Sequence, residues 1–170
     1  LPMEPSDYPR NDPGPNGLML ANSPEENIKR LNWVLSRASG YVGVFNFMGS
    51  RFANEKLALR PIVQQLKNRG LMMLDTRVSP VSVLGIAAQE VGLPYTLVDI
   101  YADSEPNRGS IDRKLQQVTE LATKNKFAVV IVRPYPITIL RLKNWLNRIN
   151  PNEIVLAPLS AVTTVKKTKS

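Results

Sequence analysis

Short apolar runs alternate with helix-period segments along almost the whole chain, and this constrains the fold more than any other feature. The runs are 41–46 (YVGVFN), 71–74 (LMML), 95–100 (YTLVDI), 127–132 (FAVVIV) and 153–156 (EIVL). Strands that are apolar on both faces need helices over both faces, and alternation with helices makes their sheet parallel. The class is therefore α/β, either an open doubly wound sheet or an incomplete barrel.

The helical segments carry their own boundaries. Ser23-Pro24-Glu25-Glu26 reads as an N-cap, a first-turn proline and a capping-box acid. The helix it opens is predicted to run to about Ala38, with Ile28, Leu31, Val34 and Leu35 on its core face. Further helices are predicted over 55–68, with Pro61 as a kink or restart, and over 81–91, capped by Gly92. Two more are predicted over 110–124, burying Ile111, Leu115, Val118 and Leu121, and over 136–149. Residues 1–17 hold prolines at 2, 5, 9, 13 and 15, which predicts a rigid extended loop without regular structure, packed on the body through Met3 and Tyr8. One domain over 1–162 is expected, followed by a basic tail over 163–170. The opening at Leu1 suggests a piece of a longer protein.

Composition enters through what is missing. The chain has no His and no Cys, so it offers neither an imidazole nor a thiolate to a metal, and no His to activate Ser50. No metal ligand is assigned. No apolar run approaches the ~18 residues that span a bilayer. The net charge is +8, but Lys166, Lys167 and Lys169 supply three of those charges, and no aromatic is interleaved with a basic stripe. That pattern does not favour nucleic acid.

In parallel α/β folds the ligand sits beyond the carboxyl ends of the strands. Asn46 ends the first run and Gly49-Ser50-Arg51 come after it, and Asp75, Thr76 and Arg77 follow the second. Asp99 stands near the end of the third, after Thr96-Leu97-Val98, with Asp103 and Glu105 beyond it; Arg133 follows the fourth and Ser160 the fifth. Asp75 and Asp99 are candidate acid–base groups, or, with Asp103, holders of a hard cation. Arg51, Arg77 and Arg133 suit an anion or a sugar hydroxyl. The alternative for each is a turn or cap where the chain returns to water, with Asp75 and Arg77 as a structural ion pair.

Three stretches carry a resemblance: LPMEPSDYPRNDPGP from Leu1, SPEENIKRLNWVLSRASGYVGVFNFMGSRF from Ser23 and RGLMMLDTR from Arg69. Together they resemble the divergent polysaccharide deacetylases, relatives of the NodB-type carbohydrate esterases, over about residues 1–161. The resemblance implies a distorted (β/α) barrel of about seven strands, here lacking its N-terminal part, with an acidic metal-binding strand upstream of Leu1. Glu4, Asn46, Gly49, Arg51, Asp75 and Arg77 match the family's cleft motifs. The His positions do not: Phe47 stands where many members have the His of Asn-His-Met-Gly-Ser, and Arg133 where many have that of Gly-His-Pro. The His that often precedes the LPMEP-like motif has no counterpart.

The resemblance thus implies a protein of cell-envelope carbohydrate metabolism with a degenerate metal site, binding glycan through Glu4, Asn46, Arg51, Arg77 and Arg133 without a cofactor. A protein partner is compatible with this. Two alternatives stay open. One is an active carbohydrate esterase using Asp75 and Asp99, with a divalent metal completed by upstream acids. The other is an unrelated α/β anion-binding module. The resemblance also implies the bacterial envelope or periplasm, with anchoring by a segment outside this chain.

Overall fold

The computed structural model describes residues 1–163, so the lysines of the predicted basic tail lie outside the described residues. Every strand pair is parallel, as the apolar runs required. The fold is α/β, with seven short strands and five α-helices among the described residues, consistent with the expected (β/α) barrel-like architecture. The chain divides into two compact units, 1–97 and 98–162.

In the first unit, β1 (Pro2–Met3) pairs with β3 (Phe47–Met48). A second ladder has the order β2 (Gly43–Phe45), β4 (Met72–Asp75), β5 (Tyr95–Leu97). Three helices belong to this unit: α1 (Pro24–Leu35), α2 (Lys56–Asn68) and α3 (Leu84–Val91). They bury Leu31, Leu35, Leu59, Ile62, Leu66, Leu84 and Ala88 in one cluster with Met73 of β4 and Met3 of β1.

Local chemistry accounts for most of these boundaries. The Ser23 hydroxyl accepts from the Glu26 N–H at 3.2 Å, as an N-cap should. The other half of the predicted capping box does not form, because the Glu26 carboxylate turns to Arg30 Nε at 3.1 Å. α1 stops at Leu35, three residues before the predicted end. α2 runs through Pro61 without interruption. The carbonyl that loses its partner there belongs to Leu57, whose side chain is 86% exposed, so water serves that side of the helix. Gly92 ends α3 at φ 71°, as predicted.

The predicted absence of regular structure over 1–17 is corrected by β1. At Pro2 itself only the carbonyl is used, accepting from Leu18 N at 2.9 Å, while the donors come from either side, Leu1 N to Phe45 O at 2.6 Å and Glu4 N to Leu18 O at 2.9 Å, so the missing proline N–H costs nothing. Met3 is fully buried, as expected, whereas Tyr8 is 43% exposed and does not anchor the loop.

The second unit holds β6 (Ile100–Tyr101) paired with β7 (Val130–Ile131), and α4 (Arg108–Asn125) and α5 (Pro136–Leu146). Asn107 caps α4 by accepting from Ser110 N at 2.9 Å. Two strand predictions are corrected here. The run 95–100 is two strands, because the chain changes partner after Leu97: the N–H groups of Asp99 and Ile100 both donate to Val129 O, at 2.9 and 3.2 Å. The run 153–156 joins no ladder among the described residues. The Asn150 carbonyl captures the N–H groups of Glu153 and Ile154 at 3.0 and 3.1 Å, and Val155 and Leu156 are 72% and 71% exposed. An apolar run becomes a strand only where a neighbouring edge accepts it.

Candidate functional site

Asn46 lies between β2 and β3 and is 1% exposed. Its Oδ1 accepts from the Thr76 N–H at 2.8 Å, and its backbone carbonyl accepts from Thr76 Oγ1 at 3.1 Å. The amide thus takes over where the β2–β4 ladder ends and frees the chain to turn into β3. Its Nδ2 donates to Met48 O at 3.2 Å and holds that turn. Met48 and Gly49 follow with φ of 56° and 91°. At Gly49 a Cβ would lie 2.8 Å from the Met3 Cβ, so both the conformation and the space require glycine.

Glu4 follows β1 and is 3% exposed. Its carboxylate accepts from Leu20 N at 2.7 Å and from Arg51 Nη1 at 2.8 Å, while its backbone carbonyl accepts from Arg51 N and Phe52 N. Glu4 therefore ties three separate stretches together. Arg51 remains 58% exposed around that single ion pair, and Phe47 is 54% exposed.

Asp75 ends β4 and is 2% exposed. Oδ1 accepts from the Arg77 backbone N–H and Oδ2 from Ser82 Oγ, both at 2.8 Å. The alternative of an Asp75–Arg77 ion pair is thus replaced by a side chain-to-backbone contact, and the Arg77 guanidinium is left exposed. Arg77 adopts φ 53°, a left-handed conformation that is costly for a residue with a Cβ and characteristic of functional turns. Asp75, Arg77, Ser79, Ser82, Ile86, Tyr95 and Leu97 are among the residues that line a cavity of about 220 Å³. Gly85 lets the Tyr95 ring lie against α3, since a Cβ there would meet the ring at 2.9 Å.

Glu4, Asn46, Arg51, Asp75 and Arg77 all follow or end strands of the first unit: Glu4 and Arg51 form an ion pair, Asn46 holds Thr76 between Asp75 and Arg77, and of the five Asp75 and Arg77 line the cavity. Asp99 and Arg133 belong to the second unit. Asp99 is exposed, and its Oδ2 accepts from Val129 N at 2.7 Å. Arg133 is exposed, and its backbone N–H donates to Asp103 Oδ2 at 2.6 Å. Asp103, 1% exposed, also accepts from Thr138 Oγ1 at 3.1 Å. Asn46, Asp99 and Asp103 repeat one device: a side-chain oxygen at a strand end accepts the N–H of the residue thirty positions later.

These residues do not fit a transition metal. No group of three or more Asp or Glu residues is placed to hold one among the described residues, and the chain has no His or Cys. Of the most buried acids, Glu4 and Asp75 spend both carboxylate oxygens on internal donors, and Asp103 spends Oδ2 on two. Ser82, Ile86 and Tyr95 join the cavity without any mark in the sequence, because the packing of α3 and the turn before it brings the first two to Asp75 and the β4–β5 pairing brings Tyr95.

The family model described as divergent polysaccharide deacetylase matches residues 1–163. An uncharacterized protein of Haemophilus influenzae is 27% identical over 156 residues, 92% of this chain and 55% of that protein. The uncharacterized protein YibQ of Escherichia coli is 24% identical over 147 residues, 86% of this chain and 46% of its own. The crystal structure of an uncharacterized protein from Agrobacterium tumefaciens matches with a TM-score of 0.90 and 31% identity, covering 95% of this chain and 66% of that one. The chain spans about half the length of the curated relatives it matches.

Proposed function

The chain belongs to the divergent polysaccharide deacetylase family, and from that premise we propose that it binds a glycan of the bacterial envelope, in the periplasm or at the cell surface, without hydrolysing it. The observation that carries this reading is the division of labour in the 220 Å³ cavity. Both Asp75 oxygens are taken by internal donors, so that carboxylate is committed to the fold and not to acid–base work. The Arg77 guanidinium and the Tyr95 hydroxyl are engaged by no hydrogen bond from the described residues. Ile86 and Leu97 add exposed apolar surface beside them.

A sugar ring presents C–H faces and hydroxyl or carboxylate edges. Apolar side chains with an Arg and a Tyr hydroxyl meet both kinds of surface, and the guanidinium offers planar, bidentate recognition to a carboxylate. The net charge of +8 favours an acidic polymer. Phe47, exposed in place of the family's more usual His, supplies a stacking surface and no metal ligand.

Two measurements on the purified whole protein test the reading. In titration with carboxylate-bearing peptidoglycan fragments, saturable binding is expected. Arg77→Ala should weaken it by about 10- to 100-fold, the worth of a hydrogen bond to a charged group. With acetylated glycan, no acetate release is expected in the presence of zinc, magnesium or calcium. Release that disappears in Asp75→Asn would overturn the binding reading and establish the carboxylate-dependent esterase.

A further inference from the structure

The larger cavity of the second unit lies on α4, α5 and the turn after α5, and encloses about 270 Å³. It shares no residue with the strand-end cavity of the first unit. Its floor is apolar: Leu115 is 1% exposed, and the Trp145 ring is fixed by its indole N–H donating to Thr119 Oγ1 at 3.0 Å. The indole's one polar group is therefore satisfied, and its apolar faces remain for contact.

Four charges surround this floor, and two of them cancel. Arg141 Nε and Nη2 bind the two oxygens of Asp112 at 2.7 and 2.6 Å, in the fork geometry that makes a rigid neutral wall. The other two are Arg148 and Glu153. Arg148 is exposed, and no described residue pairs with its guanidinium. Glu153 accepts at Oε1 from Asn150 Nδ2 at 2.9 Å and keeps its other oxygen free of any such bond. The turn that presents Glu153 is built, since Asn150 also accepts from the N–H groups of Asn152, Glu153 and Ile154.

One uncommitted cation and one uncommitted anion thus border an aromatic floor. A purely anionic ligand would meet Glu153, and a purely cationic one would meet Arg148. We propose that this cavity binds a small zwitterion with an apolar body, of the amino-acid class, with its carboxylate at Arg148, its ammonium at Glu153 and its side chain on Trp145. The volume, about 270 Å³, lies just below the ~300–1,000 Å³ typical of ligand pockets, which suits a single amino acid.

L-phenylalanine is the probe, and the readout is the indole N–H resonance of Trp145, with that of Trp33 in the first unit as internal control. A saturable shift of Trp145 alone is expected. N-acetylation of the probe and esterification of its carboxylate should each weaken binding by about tenfold or more, as loss of a charged hydrogen bond does. Arg148→Gln should weaken the free amino acid by a similar factor while leaving the methyl ester unaffected, and Glu153→Gln should do the same with respect to the N-acetyl derivative. Both residues lie on the exposed rim, so a Trp145 resonance that keeps its ligand-free position in each variant verifies that the second unit is folded. Absence of a saturable shift, or variants that weaken free and blocked probes alike, would overturn the assignment.

Discussion

The two units are built from the same parts and held together differently. In the first, fifteen buried apolar residues form one cluster beneath three helices. In the second, the corresponding cluster has three buried members, Ala102, Ile111 and Leu115, with Val130, Val132, Ile137, Leu142 and Trp145 only partly covered. Directed polar contacts occur in both, Glu4 on Leu20 and Arg51 and Asp75 on Ser82 in the first, Asp99 on Val129, Asp103 on Arg133 and Thr138, and Asp112 on Arg141 in the second, but in the second they act beside far less apolar burial. Burial is non-directional and tolerates exchange of one apolar group for another, whereas a buried carboxylate must keep its donors. Both units depend on buried carboxylates that keep their donors, Glu4 and Asp75 in the first and Asp103 in the second, and they differ in how much apolar burial stands beside them.

The largest expected effects come from one substitution made in both cores. Leu66→Ala and Leu115→Ala delete the same atoms from residues that are 0% and 1% exposed. The first should cost about 3–5 kcal/mol and the second about 2–3, because partly covered neighbours can close over the smaller cavity. Denaturation followed by Trp33 in the first unit and Trp145 in the second, each with the other changed to Phe, resolves the two. Equal losses would break the comparison.

A smaller effect tests the polar side. Asp103→Ala strands the Arg133 N–H and the Thr138 hydroxyl and should cost about 1–3 kcal/mol. Asp103→Asn keeps an acceptor and should recover most of that loss, as urea unfolding would measure. Asn46→Ala asks whether the same device matters as much in the apolar unit, and a comparable loss of about 1–3 kcal/mol is expected from the stranded Thr76 N–H.

The smallest effect is at the start of α1. Ser23→Ala removes the N-cap and should cost about 1 kcal/mol, visible in the melting temperature. The Glu25 carboxyl is held below its usual pKa by its own backbone N–H and then by the Ser23 hydroxyl. A depressed carboxyl contributes stability above its unfolded pKa and loses it as the pH falls through the folded value. An NMR titration should find Glu25 moved upward in Ser23→Ala, yet still below its usual value because the backbone contact remains.

Much of the fold was legible because the signals were local. Ser23, Gly92 and the apolar faces of α1 and α4 mark elements whose hydrogen bonds close within a few residues. The errors fell where a strand's partner decided the outcome. Pro2 looked incompatible with a strand, and 153–156 looked like a good one, because neither sequence says which edge is available. The candidate site divides in the same way. Positions 4, 46, 51, 75 and 77 were marked by their place after apolar runs and by the family motifs. Nothing marked Ser82 or Tyr95 as their neighbours.

The sequence by itself determined the α/β class, the parallel pairing, the family and the absence of imidazole and thiolate ligands, since periodicity and composition are properties of the chain alone. Only the tertiary structure decided what each polar group does. The carboxylates of Glu4, Asp75 and Asp103 are silent in the sequence about whether they face a ligand or a backbone N–H. Packing answers this by burying each beside donors that would otherwise go unpaired, leaving Arg77, Tyr95 and Arg148 as the groups with capacity to spare.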